Sequence, residues 1–112
     1  MTTRAALPHG VPAQLAGPRL QAVFSLVVSD PAVAAARRFP LLCVVPLTTA
    51  PGEGALYPRL APGRNGLRKP AHALVEQVRS VDKRRVRRVY GTIPDAALAA
   101  VEEGLRLHLG LG

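Results

Sequence analysis

The side chains best placed to do chemistry are the two hydroxyls of Pro46-Leu47-Thr48-Thr49. They follow directly on an apolar run. A strand ending there presents Thr48 and Thr49 at its mouth, where they can serve a ligand or a structural turn. A second concentration is one of charge. Arg64, Arg68, Lys69, Arg79, Lys83, Arg84, Arg85, Arg87 and Arg88 fall within 25 residues, opposed only by Glu76 and Asp82. Guanidinium groups grip phosphate through paired N–H donors. The segment therefore reads as a nucleic-acid surface, the alternative being a solvated face.

Other reactive side chains are sparse. His9, His72 and His108 are scattered, and none stands at metal-ligand spacing. The lone cysteine, Cys43, lies inside the apolar run Leu41–Leu47 and reads as a small buried hydrophobe. One cysteine permits no internal disulfide, which fits a reducing compartment. Glu102 and Glu103 fall on the polar side of a helix, and no glycine-rich phosphate loop is present. The expectation is chemistry without metal or cofactor.

Composition narrows the field. A chain of 112 residues is the size of one domain, too short for separate substrate and cofactor modules. Hydrophobic residues make up 48%, enough for a folded core. Aromatics make up 4% and Trp is absent, which argues against a surface of many stacked rings. Lys and Arg number 15 against 7 Asp and Glu, a formal charge of +8, and the pI is near 11.3. Such a balance on a folded domain suggests a polyanionic partner. No run approaches the ~20 apolar residues of a membrane span, and the proline-broken N-terminus does not read as a secretory signal. A cytoplasmic location without membrane association is expected.

The elements that must position these residues follow from pattern. Residues 1–22 are rich in Ala, Pro and Gly without a period and read as an irregular or divergent arm, leaving 23–112 as the domain. Val23–Val28 is a β-prone run ended by Ser29-Asp30-Pro31. Pro31–Arg38 reads as a short helical turn. Leu41–Leu47 is apolar on both faces and should lie centrally in a sheet, fraying or bulging at Pro46. Ala55–Leu60, His72–Arg79 and Val86–Tyr90 read as further strands. A final helix is expected with Thr92 as N-cap and Asp95 completing a capping box. Its apolar stripe is Leu98, Val101, Leu105 and Leu109, a core-facing stripe in preference to a dimer face. Gly104 interrupts that helix at a cost of ~1 kcal/mol, and Gly110 ends it. Short strands followed by one amphipathic helix suggest a small, curled antiparallel sheet or partly open barrel with the helix packed on it.

Five segments in order resemble one family. Val44-Val45-Pro46-Leu47-Thr48-Thr49 is similar to the "VVPLT[ST]" block of MazF/PemK-like toxins. Leu26-Val27-Val28-Ser29-Asp30 resembles the "ALVVS" strand before it. Gly66-Leu67-Arg68-Lys69-Pro70 resembles the family's "GL-x-K" turn. Leu74–Arg85 resembles its "[DE]Q-[IV]-R-[ST]-[VIL]-D-[KR]-x-R" block, and Gly91-Thr92-Ile93 with the last helix fits its end. The resemblance spans about residues 26–111.

The resemblance implies a mainly β fold, a small SH3-like antiparallel barrel of the MazF/CcdB type with a C-terminal helix, acting as a homodimer. It implies an mRNA interferase, a sequence-selective, metal-independent endoribonuclease that cuts single-stranded RNA and is neutralised by a cognate antitoxin with an acidic tail. In that chemistry the ribose 2′-hydroxyl attacks the adjacent phosphate, leaving a cyclic phosphate and a 5′-hydroxyl. Thr48 takes the place of the family threonine at the phosphate, with Thr49 beside it. The family arginine normally stands in an Arg-Pro pair just before the "ALVVS" strand, but Val23-Phe24-Ser25 occupy that place here. Gln14-Leu15-Ala16-Gly17-Pro18-Arg19 resembles the family's "Q-A-G-x-R" stretch, displaced by Leu20–Phe24, which makes Arg19 the candidate catalytic arginine. Gln77, Arg79, Lys83 and Arg85 are candidate RNA contacts. The alternative is a catalytically inactive basic SH3-like module that binds nucleic acid or only its antitoxin.

Overall fold

The computed structural model describes residues 10, 12–16, 22–63, 65–91 and 93–111. In chain order the elements are β1 (Pro12–Ala16), β2 (Ala22–Val27), α1 (Pro31–Ala35), β3 (Leu41–Thr48), β4 (Arg59–Leu60), β5 (Ala71–Ala73), β6 (Arg79–Asp82), β7 (Val86–Val89) and α2 (Asp95–Leu109). All strand pairs are antiparallel. The sheet runs β4-β5-β3-β2-β1-β7, with β6 also on β3, and among the described residues this path does not close on itself. The mainly β fold with a C-terminal helix agrees with the sequence reading.

β3 organises the molecule because it is apolar on both faces. Leu42 and Val44 join one cluster with Ala13, Leu15, Val27, Val81 and Val86. Val45 points the other way, into a second cluster with Leu26, Ala73, Val75 and Val101. Alternation along the strand sends successive side chains to opposite faces, so one strand feeds two cores. β2 does the same through Leu26 and Val27.

Pro46 sits where the ladder changes. β2 pairs with Val44, Val45 and Pro46 on one side of β3. On the other side β6 pairs with Leu41–Val44 and β5 with Leu47 and Thr48. Between β5 and β6 a turn of 3-10 helix, Val75–Gln77, bulges away opposite Pro46. The Leu74 N–H donates to the Pro46 carbonyl (2.8 Å), so that edge of residue 46 faces the bulge. A proline has no N–H to offer there, and the partner strand breaks. The strand expected over His72–Arg79 is therefore two short strands separated by this turn.

Other expectations need correction. Pro12–Ala16, expected within an irregular arm, is a strand paired to both β2 and β7, with Ala13 and Leu15 fully buried. Two flanking strands override its weak β-propensity. The rest of the expected arm, apart from Gly10 and Ala22, lies outside the described residues. Of Ala55–Leu60 only Arg59 and Leu60 pair. The Tyr57 N–H is drawn into a turn by the Gly54 carbonyl (3.0 Å), and Pro58 has no N–H.

α2 starts later than expected. Pro94 is the N-cap residue, with no side-chain cap, and Asp95 sits in the first turn, where its charge complements the helix dipole. Thr92, the expected cap, lies outside the described residues. The helix closes at Gly110, where the Leu111 N–H reaches the Arg106 carbonyl (2.8 Å) and the Gly110 N–H that of Leu107 (3.3 Å), a Schellman arrangement. Val101 is fully buried and Leu98 and Leu105 pack beside it, but Leu109 is 55% exposed. The expected core stripe therefore stops one turn short.

Gly104 has a reason to be there. A Cβ at this position would stand 2.8 Å from the Ala55 carbonyl oxygen and 3.2 Å from a Val75 methyl. The helix thus lies directly on the loop before β4 and on the 3-10 turn after β5. Alanine would add about 1 kcal/mol of helix propensity but force an overpacking cost of about 1–3 kcal/mol. Gly104→Ala is expected to lower stability by about 1 kcal/mol, read as a lower urea midpoint. A raised midpoint would show that the contact yields freely.

Candidate active site

The end of β3 carries Thr48, and the pairing of three strands decides what surrounds it. Thr48 lies opposite His72 on β5, and His72 lies opposite Arg59 on β4. Directly paired residues share a face of a sheet. The neighbours in each strand, Leu60, Ala71 and Ala73, are buried in the core, and Leu47 packs against it. A hydroxyl, an imidazole and a guanidinium thus form one row on the opposite, outward face.

Beside this row is a cleft of about 370 Å³, walled by Thr48, Ala50, Pro51, Gly52, Glu53, Tyr57, His72 and Leu74. Thr48 is half-buried, and its Oγ1 accepts a hydrogen bond from the Ala50 N–H (3.1 Å). That bond uses an oxygen lone pair and leaves the hydroxyl proton available to a ligand. Gly52 passes close to the cleft wall, where an added Cβ would make ordinary contact with the Tyr57 Cβ (3.4 Å) and the His72 Cγ (3.7 Å). The Tyr57 hydroxyl donates to Glu76 Oε2 (2.5 Å), tying the loop to the 3-10 turn after β5. This bond to Glu76, with some desolvation, raises the Tyr57 pKa and keeps the phenol protonated. The buried His72 Nδ1 has no hydrogen-bond partner among the described residues.

The other residues expected at the site are distributed as follows. Thr49 is exposed, one step beyond Thr48. Gln77 is exposed at the end of the 3-10 turn. Arg79 is exposed on β6, opposite Val44 at the other half of β3. Lys83 Nζ donates to the carbonyls of Val33 (2.8 Å) and Ala36 (2.9 Å), closing the C-terminal end of α1. Arg85 is half-buried in a second 3-10 turn, Lys83–Arg85. None of these five residues lines the cleft. Arg19 lies outside the described residues. The sequence reading missed His72 and Arg59, which only the strand register brings to Thr48, and Glu53, on the loop that walls the cleft.

The basic segment is partly occupied with its own structure. Asp82 accepts from the Arg84 N–H (2.8 Å) and from its guanidinium (2.8–3.2 Å). The guanidinium bonds first, then the backbone bond, hold the Asp82 pKa down from 3.8 to about 2. A depressed carboxylate stabilises the fold above its unfolded pKa and loses that contribution as pH falls through the folded value. Asp82→Asn is therefore expected to flatten the loss of stability between pH 4 and pH 2, followed by urea midpoints. An equally steep acid slope in the variant would show that the pair contributes nothing. Arg87 donates to the Arg84 carbonyl (3.1 Å), and the Arg88 guanidinium lies 5.4 Å from the centre of the Tyr90 ring.

The chain belongs to the family of PemK-like, MazF-like toxins of type II toxin–antitoxin systems, whose model matches residues 17–109. Its fold is similar to that of an endoribonuclease in complex with its cognate antitoxin from a mycobacterial species (TM-score 0.80, 19% identity, 96% of this chain and 98% of that one). It is also similar to MazF in the MazE–MazF complex of Deinococcus radiodurans (TM-score 0.78, 23% identity, 96% and 98%). Toxin MazF-mt6 of Mycobacterium tuberculosis is a third (TM-score 0.75, 19% identity, 90% and 98%). No curated protein matches the chain in sequence. Among the described residues, no helix is long and apolar enough to cross a membrane.

Proposed function

We infer that this toxin is a metal-independent, sequence-selective endoribonuclease. It acts on single-stranded RNA in the cytoplasm as a homodimer, and a cognate antitoxin with an acidic tail holds it inactive. The observation that carries this reading is the setting of Thr48. Its hydroxyl stands at the wall of a cleft rather than sealed in either core, with its proton uncommitted. There it can donate to a phosphate oxygen as negative charge builds during attack by the 2′-hydroxyl. The exposed arginines along β6 and β7 suit both the RNA backbone and an acidic partner. The antitoxin-bound state of the mycobacterial neighbour supports the same partner class.

One observation favours a second reading, a non-catalytic module that binds nucleic acid or only its antitoxin. Among the described residues no arginine or lysine lines the cleft, and Glu53 does. Incubation with mixed-sequence RNA in excess EDTA separates the two. Discrete cuts with cyclic-phosphate ends support the nuclease, and binding without cleavage supports the module.

A further inference from the structure

The geometry points to His72 as the group that takes the proton from the attacking 2′-hydroxyl. This rests on the endoribonuclease reading above and gives that site the base which Thr48 cannot supply. Thr48 and His72 are directly paired across β3 and β5. Such neighbours hold their Cβ atoms roughly 4.5–5.5 Å apart. A phosphate bonded to the threonine hydroxyl therefore brings its flanking ribose to the imidazole. Arg59, next in the row, makes no hydrogen bond or ion pair with a described residue, so its charge is available to draw the phosphate across.

The imidazole itself is unspent. A histidine that serves only the core satisfies its buried nitrogen, whereas His72 Nδ1 is buried without a partner among the described residues while the ring walls the cleft. The other carboxylate close by, Glu76, is engaged by the Tyr57 hydroxyl. The titratable groups around the imidazole are thus Glu53 and Tyr57 from the loop after β3, Arg59 from β4 and Glu76 from the 3-10 turn. Histidine is the side chain that most readily exchanges a proton near neutral pH.

The step balances without a cofactor. The 2′-oxygen forms a bond to phosphorus and the bond from phosphorus to the 5′-oxygen breaks. The 2′ proton passes to His72. The leaving 5′-oxygen takes a proton from water, and His72 returns its own to solvent.

The test is steady-state cleavage of the mixed-sequence RNA in EDTA across pH by the full chain and by His72→Gln. The expected result is a fall in kcat of about 100- to 10,000-fold, with KM within threefold. The acid-side limb of the native pH profile should be lost with it. A variant that cleaves at the native rate with the same limb overturns the role of His72 and leaves the nuclease reading standing. No cleavage by the native protein overturns both. A second measurement, made on the native protein, does not depend on the variant folding. The imidazole resonances of His72 should shift on adding a 2′-O-methylated copy of the cleaved RNA, and resonances that stay in place overturn the proposal.

Discussion

Replacing Thr48 by alanine is expected to lower RNA cleavage about 100- to 1,000-fold in kcat, the loss found when one donor to a developing oxyanion is removed, about 3–4 kcal/mol. The backbone N–H of Ala50 already occupies one lone pair of this hydroxyl, so its remaining polarity is directed at the cleft. The same substitution also removes that turn bond, an exposed contact that contributes about 0.5–1.5 kcal/mol at most. The two effects separate in a pair of variants. Thr48→Ser keeps the hydroxyl and should retain cleavage within tenfold, whereas Thr48→Ala should lose it with nearly native unfolding behaviour. Equal cleavage by native protein and Thr48→Ala would remove the phosphate role from this residue.

The largest effect on stability is expected at Gly66. Its φ of +84° lies in the left-handed region, which costs an L-residue roughly 1–2 kcal/mol. A Cβ there would also stand 2.5–2.8 Å from the near atoms of the Tyr90 ring. That ring has little room to retreat, for it meets Phe24 edge-on at 5.4 Å and lies under the Arg88 guanidinium. The loop cannot yield either. Buried Asn65 pins it on both sides, donating to the Ala61 carbonyl (3.2 Å) and accepting from the Leu67 N–H (3.0 Å). Adding about 1–3 kcal/mol of overpacking, Gly66→Ala should lose on the order of 3 kcal/mol, a fall in Tm of about 10–20 °C. The double variant with Tyr90→Ala should lose less than the sum of the two single changes. Strict additivity would mean that the ring is not the obstacle.

What could be read in advance depended on how local the cause was. β3 was legible because Leu42, Val44 and Val45 carry their two-sided burial in their own types. The resemblance around Pro46-Leu47-Thr48-Thr49 found the threonine that stands at the cleft. β1 was not legible, since Pro-Ala-Gln-Leu-Ala has little β-propensity and is a strand only because β2 and β7 flank it. The break between β5 and β6 follows from a missing N–H at Pro46, some thirty residues earlier in the chain. His72 and Arg59 reach Thr48 through register alone, which no spacing within a single segment encodes. Lys83 looked like a phosphate ligand because its tie to α1 spans 50 residues.

β7 ends the hydrogen-bonded path and carries Arg87 and Arg88 in exposed positions. Among the described residues its outer edge pairs with no strand, and such a border is a template on which a second copy can stack its own backbone. Two such borders, each studded with guanidiniums, repel one another, so the arginines double as a guard against fibrillar growth. Any acidic ligand that discharges them removes this guard.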